Sequence, residues 1–158
     1  MPNWADIVKN TIKVNSSSYD NVDQSARVKL SDVRYDAGVK TITFFGEVGS
    51  SSKPSTYSVQ VAFKGVEPTQ NLTPEEIEHG FNPKPSLAEN EVLMRCNCPS
   101  YRFRFDNANR SNGAALGARF PVYHKKTDRA PLNPDNTPGA CKHCIEFINY
   151  LQNQGFIL

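Results

Sequence analysis

The sequence predicts an α+β fold: a mainly antiparallel β-sheet, a C-terminal α-helix, and a structural metal site joining strand to helix. Three observations carry this. Period-two alternation dominates residues 26–63. The links between those runs are too short for the crossovers that parallel strands need. The one sustained helical stripe follows Cys141. At 158 residues the chain suits one domain with its own core. We read residues 1–158 as a single unit: an N-terminal arm over 1–25, a sheet over 26–105 with a long loop at 65–90, a second long loop over 106–140, and a metal-anchored helix over 141–154.

In the arm, Trp4, Ile7, Val8 and Ile12 have spacings that a short helix can use. Ala26, Val28 and Leu30 alternate with Arg27 and Lys29, the mark of a half-buried strand. Val39 to Val48 is dense in β-branched and aromatic residues, and Asp36-Ala37-Gly38 makes the hairpin turn before it. Tyr57, Val59, Val61 and Phe63 give the clearest alternation. Pro68, Pro74, Pro83 and Pro85 interrupt residues 65–90, where Thr73-Pro74-Glu75-Glu76 reads as a helix start. Val92-Leu93-Met94 leads into the first cysteine pair, and Tyr101-Arg102-Phe103-Arg104-Phe105 alternates again. Cys144, Ile148 and Leu151 form the stripe of the final helix, with Gly155 as its cap.

Lys and Arg number 18 against 16 Asp and Glu, a net +2 that excludes binding of nucleic acid by bulk charge. There is no long apolar run, so no transmembrane helix is expected. The opening Met1-Pro2-Asn3-Trp4-Ala5-Asp6 lacks a signal-peptide layout, which predicts a soluble chain made inside the cell. No phosphate loop, nucleophile elbow or His-Glu-x-x-His pattern occurs. His79 and His124 read as exposed loop histidines, and Glu75, Glu76 and Glu78 as a solvated helix turn. The expectation is no enzyme and no small-molecule substrate.

The four cysteines fall in two tight pairs, Cys96-Asn97-Cys98-Pro99 and Cys141-Lys142-His143-Cys144. A disulfide framework spreads its cysteines, whereas distant close-set pairs suit a metal. On an extended strand Cys96 and Cys98 face one side, and Pro99 ends the ladder. Cys141 and Cys144 share a helix face; Cys141 and His143 do so if Cys141 lies in the turn before the helix. The ligand set is therefore Cys96, Cys98 and Cys141 with either His143 or Cys144. Zinc on such a set is a closed structural site, with Arg95, Arg102 and Lys142 as compensating cations. An iron–sulfur cluster on the four cysteines is the alternative cofactor.

Cys-x-Cys, a long gap, then Cys-x-His opening an amphipathic helix resembles the SWIM zinc finger. That resemblance implies Cys96, Cys98, Cys141 and His143 as zinc ligands; Cys144 stands where the family carries an aliphatic residue. The run Arg95-Cys96-Asn97-Cys98-Pro99-Ser100-Tyr101-Arg102-Phe103-Arg104-Phe105, with Asn133-Pro134-Asp135-Asn136-Thr137-Pro138-Gly139-Ala140-Cys141-Lys142-His143, is similar to a class of small structural proteins of tailed bacteriophages. It implies a virion component, in the tail or baseplate rather than the capsid, assembled in the bacterial cytoplasm with other virion proteins as partners. Against it stands a nucleic-acid-binding SWIM module. Residues 91–158 carry nine Lys/Arg and five Asp/Glu, a local +4. Basic residues interleaved with aromatic ones can bind single strands, but alternation places the arginines in solvent and the aromatics of 101–105 in the core.

Overall fold

Residues 2–23, 25–50, 53–121 and 132–158 are described by the computed structural model. They form one four-stranded antiparallel sheet in the order β1-β2-β3-β4, with β1 Arg27–Asp36, β2 Thr41–Gly49, β3 Thr56–Lys64 and β4 Glu91–Cys96. Ile42, Phe44 and Val48 of β2, Val59, Val61 and Phe63 of β3, and Val92 and Met94 of β4 are all buried. Their alternation puts them on one face. The amphipathic helix at the C-terminus (Lys142–Asn153) packs across that face. Gly46 marks the closest approach: a Cβ there would lie 2.5 Å from the Phe147 ring and 2.5 Å from the Lys29 carbonyl oxygen. Among the described residues, no helix is long and apolar enough to cross a membrane.

β1 extends past the expected Ala26–Leu30 run because of a bulge. The register steps from Leu30↔Gly46 to Asp32↔Phe45, leaving Ser31 unpaired. The inward set therefore shifts from Val28 and Leu30 to Val33 and Tyr35, which breaks the period in the sequence. The β1–β2 turn covers residues 37–40, and its left-handed residue is Lys40 (φ 50°) rather than Gly38. Gly38 N–H donates to Asp36 Oδ1 (2.9 Å) in an Asx turn. The helix start at Thr73 is a capping box on the short helix α2, Pro74–Glu78; Glu76 N–H donates to Thr73 Oγ1 and Thr73 N–H to Glu76 Oε1.

Three expectations need correction. The N-terminal segment is a 17-residue helix, α1 (Trp4–Asp20), with an Asn3 capping box and a kink at Asn15; its Ile7 and Thr11 are fully buried. Residues 101–105 are not a strand, so the sheet ends at Cys96. The chain is helical from Pro99, and Tyr101–Phe105 is a π-helix in which Asp106 N–H donates to the Tyr101 carbonyl. Tyr101 and Phe105 are buried, while Phe103 is 40% exposed. Spacing of four satisfies both a strand face and a helix face, so the alternation is ambiguous there. The start of the expected loop over 106–140 is not structureless either: α3 spans Asp106–Ser111, and Ala115 makes a parallel bridge to Met94. With α3 placed, the C-terminal helix is α4.

Candidate metal centre

The site lies where β4 ends and α4 begins. Cys96 is the last residue of β4, paired with Val59. Beyond it Asn97 extends the ladder with its own side chain: Oδ1 accepts from Ser58 N–H (2.9 Å), and Asn97 N–H donates to the Ser58 carbonyl (3.3 Å). The chain then bends at Cys98 and enters the helix through Pro99, where a missing N–H costs nothing. Cys96 and Cys98 thus converge through a bend, not along one strand face as the spacing suggests. Tyr101 N–H points at Cys98 Sγ (3.4 Å), the kind of contact that orients a thiolate.

Cys141 is the N-cap of α4, with extended backbone (φ −75°, ψ 166°) and no side-chain cap bond. That is the geometry in which Cys141 and His143 can face one point. Their donor atoms and those of Cys96 and Cys98 all lie within 4.8 Å of one another, and all four residues are buried. Ligand atoms about 2.0–2.3 Å from a tetrahedral zinc are separated by about 3.3–3.8 Å, so the donor set fits a metal with small adjustment. His143 Nδ1 is buried without a hydrogen-bond partner, a deficit that a metal bound at that nitrogen would relieve. The His143 ring packs on Tyr57, centroids 4.7 Å apart.

Cys144 is also close. Its sulfur lies 3.6 Å from Cys141 Sγ, and none of the four thiols forms a disulfide. The convergence of sulfur disfavours ionisation. Burial pushes the Cys96 thiol well up; the adjacent Cys141 thiol, with burial, pushes Cys98 up to about 12 and raises Cys144 as well. A divalent cation inverts this preference, because it binds thiolates and displaces their protons.

The expected counter-cations divide. Lys142 lines an open cavity of about 250 Å³ beside Cys98, Cys141 and His143, together with Arg104. Arg95 and Arg102 instead lie over the Phe120 ring, 3.8 and 5.3 Å from its centroid. Exposed His79 sits at the end of α2, its Nδ1 2.7 Å from the Glu75 carbonyl oxygen. His124 lies outside the described residues. Asn97 and Tyr57 supply contacts that sequence reasoning missed; the Asn between two cysteines was the available signal for the first. No family model, curated protein or solved structure matches the chain.

Proposed function

We propose that this chain is a non-enzymatic structural component of a tailed-bacteriophage virion, placed in the tail or baseplate, whose fold is held by one structural zinc. The observation that carries the reading is the closed donor set. Cys96, Cys98, Cys141 and His143 are all buried, which suits a metal that holds structure and leaves no open position for substrate. The SWIM-like order of ligands and the phage-like run around them give the finer reading. In it the zinc is bound by three thiolates and the imidazole, and Cys144 packs behind them. A small domain stiffened by metal suits docking between larger virion subunits and survival outside the host cytoplasm in which it is assembled.

Elemental analysis of protein purified without oxygen tests the metal: one zinc per chain and no colour is expected, and stoichiometric iron with brown absorbance overturns zinc in favour of a four-cysteine iron–sulfur cluster. Copurification with intact particles tests the role. A second reading, a nucleic-acid-binding module, draws support from exposed Phe103 beside Arg102 (guanidinium 5.6 Å from the ring centroid). Gel-shift titrations separate the two. Binding that collapses steeply with salt favours the second reading; no binding at low salt, with presence in virions, removes it.

A further inference from the structure

The residues just before Cys141 are held by two buried side chains from distant elements. Asn109 on α3 is fully buried, and its carboxamide grips Gly139 at both backbone groups. Oδ1 accepts from Gly139 N–H (2.8 Å), and Nδ2 donates to the Gly139 carbonyl (2.8 Å). Nδ2 also lies 3.4 Å from Tyr101 Oη, which itself donates to the Met94 carbonyl (2.8 Å). One residue on, Oγ1 of fully buried Thr11 accepts from Ala140 N–H (2.9 Å) while donating to the Ile7 carbonyl within α1 (2.7 Å). The grip is tight: a Cβ at Gly139 would lie 2.4 Å from the Phe105 ring and 3.0 Å from Thr11 Oγ1.

Cys141, the next residue, makes no side-chain cap bond; its carbonyl accepts from Ile145 N–H (3.2 Å) on the helix side, and the clamp fixes the chain that enters it from the other. A ligand on an unclamped loop must lose backbone freedom each time the metal binds. A clamped one has already lost it on folding, and outer partners of this kind typically change metal affinity by about 10–100-fold. We propose that Asn109 and Thr11 are positioning residues for Cys141: they hold its sulfur where the other donors converge and so set how long the metal is retained. This rests on the reading that Cys96, Cys98, Cys141 and His143 hold a metal. It also makes docking of α1 and metal retention reciprocal, since each must strengthen the other by the same factor.

The test uses the full chain loaded with cobalt(II), whose ligand-field bands report the donor geometry while excess EDTA draws the metal off. Thr11→Val keeps the volume and removes the hydroxyl; Asn109→Asp keeps the acceptor and removes the donor. Each variant should still take up one cobalt, with shifted bands and release about 10-fold or more faster, while Thr11→Ser should stay close to wild type. Ile157→Ala, a buried site on the C-terminal tail, is the control for general loosening. The proposal is overturned if Thr11→Val and Asn109→Asp release cobalt at the wild-type rate, or if Ile157→Ala at a matched loss of melting temperature releases it as fast. Should Asn109→Asp fail to fold, the Thr11→Val and Thr11→Ser pair decides alone. Wild-type chain that takes up no cobalt refutes the metal reading itself, a different result from cobalt uptake with unaltered release.

Discussion

Two long proline-containing excursions leave this sheet; a buried carboxamide stitches each of them, but only the second also ends at a cluster of metal-type donors. The first, residues 65–90, is stitched by one buried carboxamide. Asn90 Nδ2 donates to the Lys64 and Gly65 carbonyls (3.0 and 3.1 Å), while Oδ1 accepts from Ser86 N–H (2.8 Å) and Gln70 Nε2 (2.7 Å). Every hydrogen-bonding position of a neutral amide is used, so the closure needs nothing else. The second excursion, residues 97–140, ends at four buried thiols and an imidazole with an orphaned Nδ1. Thiols are weak donors and acceptors, so this group closes firmly only around a cation. The first loop rests on its amide alone; the second adds to the Asn109 amide a donor set that could hold a metal, so a bound metal would make its closure sensitive to chelation and pH.

The largest test of that contrast is removal of the metal. A structural zinc can supply about 10–16 kcal/mol of apparent folding free energy, against about 5–15 kcal/mol for a whole domain. Chelation should therefore abolish the near-UV circular dichroism and the cooperative melt, and an unchanged melt would remove the contrast altogether.

Acid should do the same more gradually. Cys98, pushed up to about 12 in the absence of a cation, must lose its proton to bind one. Metal affinity should thus rise with pH, its logarithm gaining about one per pH unit for each thiol proton displaced, as a competition titration would show. In metal-free chain the sign reverses. A thiol whose folded pKa lies above its unfolded value of about 8.5 stabilises the fold below that value, and this contribution is lost as pH rises toward about 12. The melting temperature of the metal-bound form should therefore rise with pH, whereas any residual structure of the metal-free form, read by far-UV circular dichroism, should weaken as pH climbs above about 8.5.

Substitution within the cluster gives a sharper and smaller effect. His143→Ala should lose stoichiometric metal. Cys144→Ala should keep it and cost about 1–3 kcal/mol as a packing defect. The reverse outcome, read by metal analysis and denaturant melts, assigns the fourth position to Cys144. Asn90→Ala is expected to cost a similar amount, about 1–3 kcal/mol through stranded backbone partners, with no effect on metal content. Metal loss in that variant would mean the two loops are not independent.

Much of this was legible in local pattern. Alternation located β2 and β3, and Thr73-Pro74-Glu75-Glu76 announced a capped turn that forms over Pro74–Glu78. The cysteine pairs and His143 marked donors that do meet. The errors also have local causes. The Ser31 bulge hid half of β1 by shifting its inward residues one place. Tyr101 and Phe105 share a face whether the chain is strand or helix, and the spacing alone favoured the wrong one.

What the sequence determined by itself was therefore the periodic part of the sheet and the candidate donors, with His143 and Cys144 left as alternatives, because both are written in spacings of two to four residues. Only the tertiary structure decided how those donors come together. The bend at Cys98, the π-helical entry to α3, and the grip of Thr11 and Asn109 on Gly139-Ala140 join groups 129 and 30 residues apart. Hydrogen bonds across such separations leave no period along the chain; they exist only once burial has brought three elements to one place.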